Sequence, residues 1–324
     1  MNLWIRADGS PTIGMGHVMR TLALAEEAEL RGISARYVIR DNDVVRRLLE
    51  RRGFPSIGLR DASSEGWLTE VSEDDALVFD GYDFGAADIR AASATGGRVG
   101  LIDDGGGGEF LVDAVLNQSN MRANYTIPNN ENVLVGPRHA LIRSEFRRRR
   151  RERMGGTRTL GVVMGGADVA GLGAVIVDLL EAHRPFEEVV LLEGPAAPAR
   201  PPDRIPWLSV VRDPVDPSEV LDGCDAVIST AGVSTWELLF MGIPAALILV
   251  AENQRPVVES VRDTDTALVV GAAEDVSRRL GSVLDEMARI ETQRRLSRAG
   301  LDLVDGGGAG RFLDALTASG NRPR

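Results

Sequence analysis

Short apolar runs alternate with stretches of helical period along the chain. In the first half, "LWI" at 3–5, "RYVI" at 36–39, "ALVFD" at 76–80 and "RVGLID" at 98–103 read as buried strands. Between the first two, Val18, Leu22 and Ala25 recur at i, i+4 and i+7, which is one face of a helix. Gly32 then stands where a helix C-cap is expected, and "DVVRRLLERRG" at 43–53 repeats the device. The pattern restarts with "TLGVVMGG" at 159–166, "EVVLLEG" at 188–194, "DAVIST" at 225–230 and "AALILV" at 245–250, separated mostly by helical stretches. "GAGRFLDALTASG" predicts a last helix and then a frayed end. Such alternation implies parallel sheets covered on both faces. Periodicity is lost near 147–158, so the spacing predicts two α/β domains, 1–150 and 151–324. Ligands of such sheets bind beyond the carboxyl ends of the strands, and two facing sheets would bring the polar clusters that follow the strands to one cleft.

Composition narrows the possibilities. A chain of 324 residues is too long for one ordinary core, which agrees with two domains. There is no apolar run of 18 residues, so no membrane span is expected, and "MNLWIRADGS" has no signal-peptide pattern. The single cysteine, Cys224, excludes an internal disulfide and fits a reducing cytoplasm. Net charge is −11, which argues against nucleic acid as a partner. The basic run "RRRRRER" at 147–153 reads as a solvated face or linker. Every basic residue is arginine; without lysine, Schiff-base chemistry and the P-loop are both excluded.

Three stretches carry candidate chemistry. "RADGSPTIGMGHVMR" at 6–20 puts Asp8, Gly14, Gly16 and His17 where a strand gives way to a helix. It fails as a dinucleotide fingerprint, because Met19 stands where the third glycine belongs. Asp41 is weak support for a ribose-binding acid. The glycines are suited to close approach of a substrate. His17 at a helix start is a neutral ring able to accept a proton, an N-terminal cap or a satisfied structural histidine. The second stretch, Asp80 to Asp83 after a strand, reads as site candidates or plain turn formers, and so does "IDDGGGGEF" at 102–110. There Asp103 and Asp104 could hold a cation, but no further ligand spacing supports a metal, and the glycines signal a mobile loop. The third, "ISTAGVSTWELLFMGIPAALILVAENQ" at 228–254, has a strand ending at Ser229-Thr230, then Ala231-Gly232, then Ser234 and Thr235 capping a helix. Glu237 completes a capping box with Ser234, and the same helix start can hold a phosphate.

Together with "GPRHALIRSEF" at 136–146 and "VVMGGAD" at 162–168, these stretches resemble, in order across nearly the whole chain, the UDP-sugar hydrolases of pseudaminic acid biosynthesis of the PseG and SpsG type. The chain is more distantly similar to the GT-B glycosyltransferases that make lipid II. The resemblance implies an α/β GT-B fold, with two Rossmann-like doubly wound parallel-sheet domains facing a central cleft. It implies cleavage of a UDP-linked amino or deoxy sugar at the anomeric carbon, with His17 as general base and Tyr82 near the sugar. It places Asp8, Gly14, Gly16, Gly165, Gly166, Gly232, Ser234, Thr235, Glu237, Asn253 and Gln254 at the substrate, with the diphosphate on the helix start, Glu237 on the ribose and Asn253 and Gln254 facing the ligand. No cofactor and no metal are implied. Three positions depart from the family pattern: Val233 replaces a glycine, His139 a tyrosine, and Val169-Ala170-Gly171 carry no asparagine. No fused acetyltransferase is expected at this length.

A glycosyltransferase with an unidentified acceptor, and a nucleotide-sugar binder without turnover, are the competing readings. Which sugar and which base are bound, and the oligomeric state, are not set by these residues.

Overall fold

In a computed structural model of the chain, residues 1–10, 14–60, 66–166, 168, 170–194, 197 and 205–318 are described. They cluster into two compact units. One comprises 1–10, 17–141 and the chain from 307 onward; the other comprises 142–306 together with 14–16.

The first unit is built on a seven-stranded parallel sheet. Its strands are β1 (Asn2–Ala7), β2 (Ser34–Arg40), β3 (Ser56–Leu59), β4 (Ala76–Asp80) and β5 (Arg98–Ile102), followed by β7 (Ala114–Asn117) and β9 (Val133–Val135). Two short strands, β6 (Gly107–Glu109) and β8 (Asn124–Thr126), pair separately. The sheet order is β3-β2-β1-β4-β5-β7-β9. The chain therefore winds outward from β1 in one direction and from β4 in the other, and the reversal lies between those two strands. Helix α1 (Gly16–Leu30) stops as the pattern predicts: Gly32 takes φ +73°, and Ile33 N–H closes on Ala28 C=O at 2.9 Å. Helix α2 (Asp43–Arg51) is capped by Asn42, whose side chain accepts from Val44 and Val45 N–H, and Gly53 ends it at φ +81°. Helix α3 (Ala86–Ser93) connects β4 to β5.

The second unit begins with a short helix, α4 (Ser144–Arg147), and carries a six-stranded parallel sheet. Its strands are β10 (Thr159–Val163), β11 (Glu188–Glu193), β12 (Leu208–Arg212), β13 (Ala226–Thr230), β14 (Ala245–Leu249) and β15 (Leu268–Ala272), in the order β12-β11-β10-β13-β14-β15. Here the reversal lies between β10 and β13. Helices α5 (Leu172–Ala182), α6 (Pro217–Asp222), α7 (Ser234–Phe240), α8 (Arg255–Thr264), α9 (Val276–Met287) and α10 (Ile290–Leu303) complete the unit. Its core joins Leu160, Val162, Ile228, Ala246 and Ile248 of the strands to Ile176, Leu180, Leu280 and Leu284 of the helices. Near-continuous apolar strands are what burial on both faces requires.

The structure differs from the sequence reading in three places. Helix α11 (Gly308–Thr317), which the sequence places at the end of the second domain, packs in the first unit against β5 and β7. Gly100 makes this possible: a Cβ there would stand 2.9 Å from the Phe312 ring. The arginine run is largely exposed, as a solvated face would be, but it does more than cover the surface. Arg150 donates to the carbonyls of Leu301 and Val304 (both 2.7 Å), Arg153 to the Asp222 carbonyl (2.9 Å), and Arg149 to Ser218 Oγ (2.9 Å). Arg150 and Arg153 thereby satisfy carbonyls at the C-terminal ends of α10 and α6, where positive charge is favoured. Finally, the glycines at 105–108 are not a loose loop. Asn117 and Asn120 both donate to Gly105 C=O at 3.0 Å, and a Cβ on Gly107 would overlap the Asn124 backbone. Those glycines permit close pairing of β6 with β8.

Candidate functional site

In the first unit, the reversal point carries a charged cluster. The register pairs Ala7 with Asp80, so the last residue of β4 stands beside the end of β1, from which the chain leads into α1. His17 and Arg20, three residues apart, share a face of α1. His17 Nδ1 lies 2.7 Å from Asp80 Oδ1. Arg20 donates from Nε to Asp80 Oδ2 (2.7 Å), from Nη2 to Asp80 Oδ1 (2.5 Å) and from Nη1 to Asp104 Oδ1 (2.7 Å). Tyr82 is 54% exposed, sets its ring edge-on to His17 at 4.7 Å between centroids, and directs its hydroxyl to Asp104 Oδ2 at 3.4 Å.

The electrostatics assign the protons. Asp80 is fully buried, which by itself would raise its carboxyl pKa; the adjacent Arg20 and His17 outweigh that and hold it below the usual carboxylate range. Burial likewise works against the Arg20 charge, and Asp104 and Asp80 more than reverse this. Asp80 is therefore an ionised acceptor, and the Nδ1 proton of His17 belongs to that bond. Nδ1, carrying that proton, cannot also accept from Arg20 Nη2, which stands 3.2 Å away. The other ring nitrogen, Nε2, has no hydrogen-bond partner among the described residues. A ring held at one nitrogen by a carboxylate and open at the other is the arrangement of a general base. His17 is thus not a helix cap.

Asp8 is buried at the end of β1, where its Oδ1 accepts from Arg6 Nη1 (2.6 Å) and Arg40 N–H (2.5 Å). Gly14 adopts φ +79° with open space about it, a conformation that favours glycine. Asp103 accepts from the Tyr125 hydroxyl at 2.5 Å, while Asp104 belongs to the cluster around His17. The two acids are therefore directed to different partners. Among the described residues, no group of three or more His, Cys, Asp or Glu side chains could hold a metal ion.

At the second unit's reversal point the chemistry is uncharged. Gly165, two residues beyond β10, takes φ +76° and faces Thr230, whose Oγ1 lies 3.7 Å from where a Cβ would stand. Gly166 lies so close to Gly194 that a Cβ on the latter would meet the Gly166 backbone at 2.5 Å. Gly232 faces Thr230 and Gln254: a Cβ there would stand 3.9 Å from Thr230 Oγ1 and from Gln254 Nε2. Gln254 is fixed through Oε1, which accepts from Val250 N–H at 3.1 Å. Asn253 shares its short turn and is exposed. Two buried hydroxyls, Ser229 Oγ and Thr235 Oγ1, have no partner among the described residues.

The capping reading of this helix is overturned. Ser234 is the first residue of α7; Val233 holds the cap position in helical conformation (φ −56°, ψ −38°), and no side chain caps the end. The Val233 and Ser234 N–H groups have no acceptor among the described residues. Because Val233 is helical, a β-branched residue fits without strain. Glu237, 2% exposed, forms a two-pronged pair with Arg143, Nε to Oε1 at 2.7 Å and Nη2 to Oε2 at 2.9 Å. His139 accepts from Arg311 Nε at 3.2 Å, tying α11 to the turn at 137–139. Val169, part of the third departure, lies outside the described residues.

The sequence reading missed Arg20 and Arg143. For Arg20 the signal is its spacing from His17; for Arg143 there is none, because its partner lies 94 residues away.

Two parallel sheets with these strand orders define the GT-B fold. Acinetobacter baumannii MurG superposes on the chain with a TM-score of 0.64, at 13% identity, over 98% of this chain and 99% of that one. A putative UDP-N-acetylglucosamine 2-epimerase of Listeria monocytogenes does so at 0.61 and 14% identity, covering 100% and 98%. Spinosyn rhamnosyltransferase SpnG complexed with thymidine diphosphate gives 0.59 and 13%, covering 97% and 100%. By sequence, the chain is similar to the spore coat polysaccharide biosynthesis protein SpsG of Bacillus subtilis, 24% identical over 330 residues and 95% of each protein. It is also similar to an uncharacterized protein of Methanocaldococcus jannaschii, 25% identical over 283 residues; the match takes in 79% of this chain and only 57% of that protein. No family model matches the chain. Among the described residues no helix is long and apolar enough to cross a membrane.

Proposed function

We propose that this protein is a nucleotide-sugar hydrolase that cleaves a UDP-linked amino or deoxy sugar at the anomeric carbon. The observation that carries the reading is the His17–Asp80 pair, with Nδ1 committed and Nε2 open. In the proposed step His17 Nε2 takes a proton from water as the water oxygen bonds to the anomeric carbon. The bond from that carbon to the diphosphate oxygen breaks, and UDP leaves with its electron pair. Free sugar and UDP are the products. A base so placed contributes roughly 10²- to 10⁴-fold in rate.

The second unit supplies the groups suited to the nucleotide. The unpartnered N–H groups of Val233 and Ser234 and the hydroxyl of Thr235 can receive diphosphate charge without a cation. Gly165, Gly166 and Gly232 leave the backbone approachable, and Asn253 and Gln254 offer amides. Glu237, which the resemblance assigns to the ribose, is the candidate for its hydroxyls beside its pair with Arg143. Tyr82 and Asp8 are assigned to the sugar side. The likeness to SpsG supports a role in polysaccharide biosynthesis, and the resemblance to the pseudaminic acid hydrolases is what suggests the sugar class.

Transfer to an acceptor is the second reading, favoured by MurG and SpnG among the solved neighbours; the same base would take a proton from an acceptor hydroxyl. The deciding experiment incubates the protein with a panel of UDP- and CMP-linked amino sugars in ¹⁸O water and no acceptor. Release of UDP with ¹⁸O in the free sugar is expected. Intact substrates throughout, with turnover only on adding an acceptor, would replace hydrolysis by transfer.

A further inference from the structure

We propose that Arg20 is a positioning residue that sets the proton affinity of His17 by sharing the Asp80 carboxylate with it. This rests on His17 being the base, but it concerns the ring itself and is testable without the reaction. Arg20 binds both oxygens of Asp80, at 2.7 and 2.5 Å, and the ring takes the second of these at 2.7 Å. The guanidinium also stands 3.2 Å from the ring nitrogen. The ring therefore lies between a carboxylate that favours the imidazolium and a cation that opposes it.

Without Arg20, the whole Asp80 charge would act on His17. The ring would then hold its proton more tightly. Charges at such distances move a titration by roughly one to three units. Arg20 is itself held by Asp104, at 2.7 Å from Nη1. The charged and titratable groups about the ring in this unit are Asp80 from β4, Arg20 from α1 and Tyr82 from the turn after β4. Asp104, from the turn after β5, is bonded to both Arg20 and Tyr82. Asp104 thus draws part of the Arg20 charge away from the Asp80–His17 pair. Removing it should make the ring easier to deprotonate, the opposite of removing Arg20. A side chain that only filled space would produce neither shift.

The experiment is an NMR titration of the ring Cε1–H signals, assigned by substitution; the chain has three histidines. In Arg20→Gln the His17 midpoint should rise by about one unit or more. In Arg20→Lys, which keeps the charge, it should return toward the parent value. In Asp104→Asn it should fall, by less. An unmoved midpoint in folded Arg20→Gln, or shifts of the same sign in Arg20→Gln and Asp104→Asn, overturns the proposal. If Arg20→Gln does not fold, Asp104→Asn decides alone: a midpoint that stays or rises is the refuting result. UDP release from the unsubstituted protein is measured separately, so loss of the hydrolase reading and loss of the Arg20 proposal are distinguishable.

Discussion

The two sheets reverse direction at the same topological place and carry opposite chemistry there. Between β1 and β4 the groups are ionisable and interlocked: buried His17, Arg20 and Asp80 and half-buried Asp104 form one chain of charge-assisted hydrogen bonds. Between β10 and β13 the groups are glycines, hydroxyls and free N–H, with no charged side chain among Gly165, Gly166, Ser229, Thr230, Gly232 and Ser234. Topology therefore marks where a ligand group is received, and the residues after each strand decide what kind. The first arrangement is suited to moving a proton; the second is suited to an anion, which a nearby unpaired carboxylate would repel.

The largest effect should come from the charged side of this comparison. His17→Ala should lower kcat by roughly 10²- to 10⁴-fold and leave UDP affinity, measured by calorimetry, unchanged. A parallel loss of UDP affinity would break the division of labour between the two reversal points.

Next come the buried ion pairs. Asp80→Asn leaves Arg20 and His17 without their shared anion, and breaking such a pair costs about 3–5 kcal/mol, readable in urea unfolding. The pH dependence has a definite sign. The folded Asp80 pKa is depressed, so its stabilisation is present above the unfolded value of about 3.9 and is lost as pH falls through the folded value. The variant should show a shallower acid-side loss of stability; an unchanged slope would show that Asp80 is not the group responsible.

Glu237→Ala strands the buried Arg143 guanidinium, which retains Glu145 at 3.3 Å. About 3 kcal/mol of stability should be lost. Weaker UDP binding in the folded variant would add a ribose contact to the structural role, whereas weaker binding with full stability would leave only the ribose contact.

A smaller and opposite effect is expected at Thr235. Its hydroxyl is buried without a partner among the described residues, so Thr235→Val should leave stability equal or higher by about 1 kcal/mol while weakening UDP binding. Stability that falls, with UDP binding untouched, would make Thr235 a core residue and remove it from the nucleotide groups. The smallest effect, none, is expected from chelation. Asp80 and Asp104 are both engaged by Arg20 and Asp103 by Tyr125, so UDP release should survive EDTA. A loss restored by Mg²⁺ would move these acids to the centre of leaving-group stabilisation.

What the sequence by itself determined is local. Buried parallel strands are apolar on both faces, so their runs stand out at 3–5, 76–80, 159–163 and 225–230 without any knowledge of neighbours. Gly32 and Gly53 announce helix ends because a left-handed residue is needed there. His17 was legible for the same reason, as a polar residue at a strand-to-helix turn. Short strands such as β6, β8 and β9 were not, since three residues carry no period. Everything that depends on pairing was decided only by the tertiary structure. Asp80 is 63 residues from His17, and nothing in its turn-like surroundings distinguishes a buried anion from a turn former until β4 is laid beside β1. The Ser234–Glu237 spacing matches a cap in sequence, yet Arg143 takes the carboxylate, because a buried charge is stabilised far more by an opposite charge than by one backbone N–H. The arginine run was legible as an exposed face but not as a tie: its charge is visible in the sequence, but the helix ends whose carbonyls Arg150 and Arg153 satisfy are brought to it only by folding.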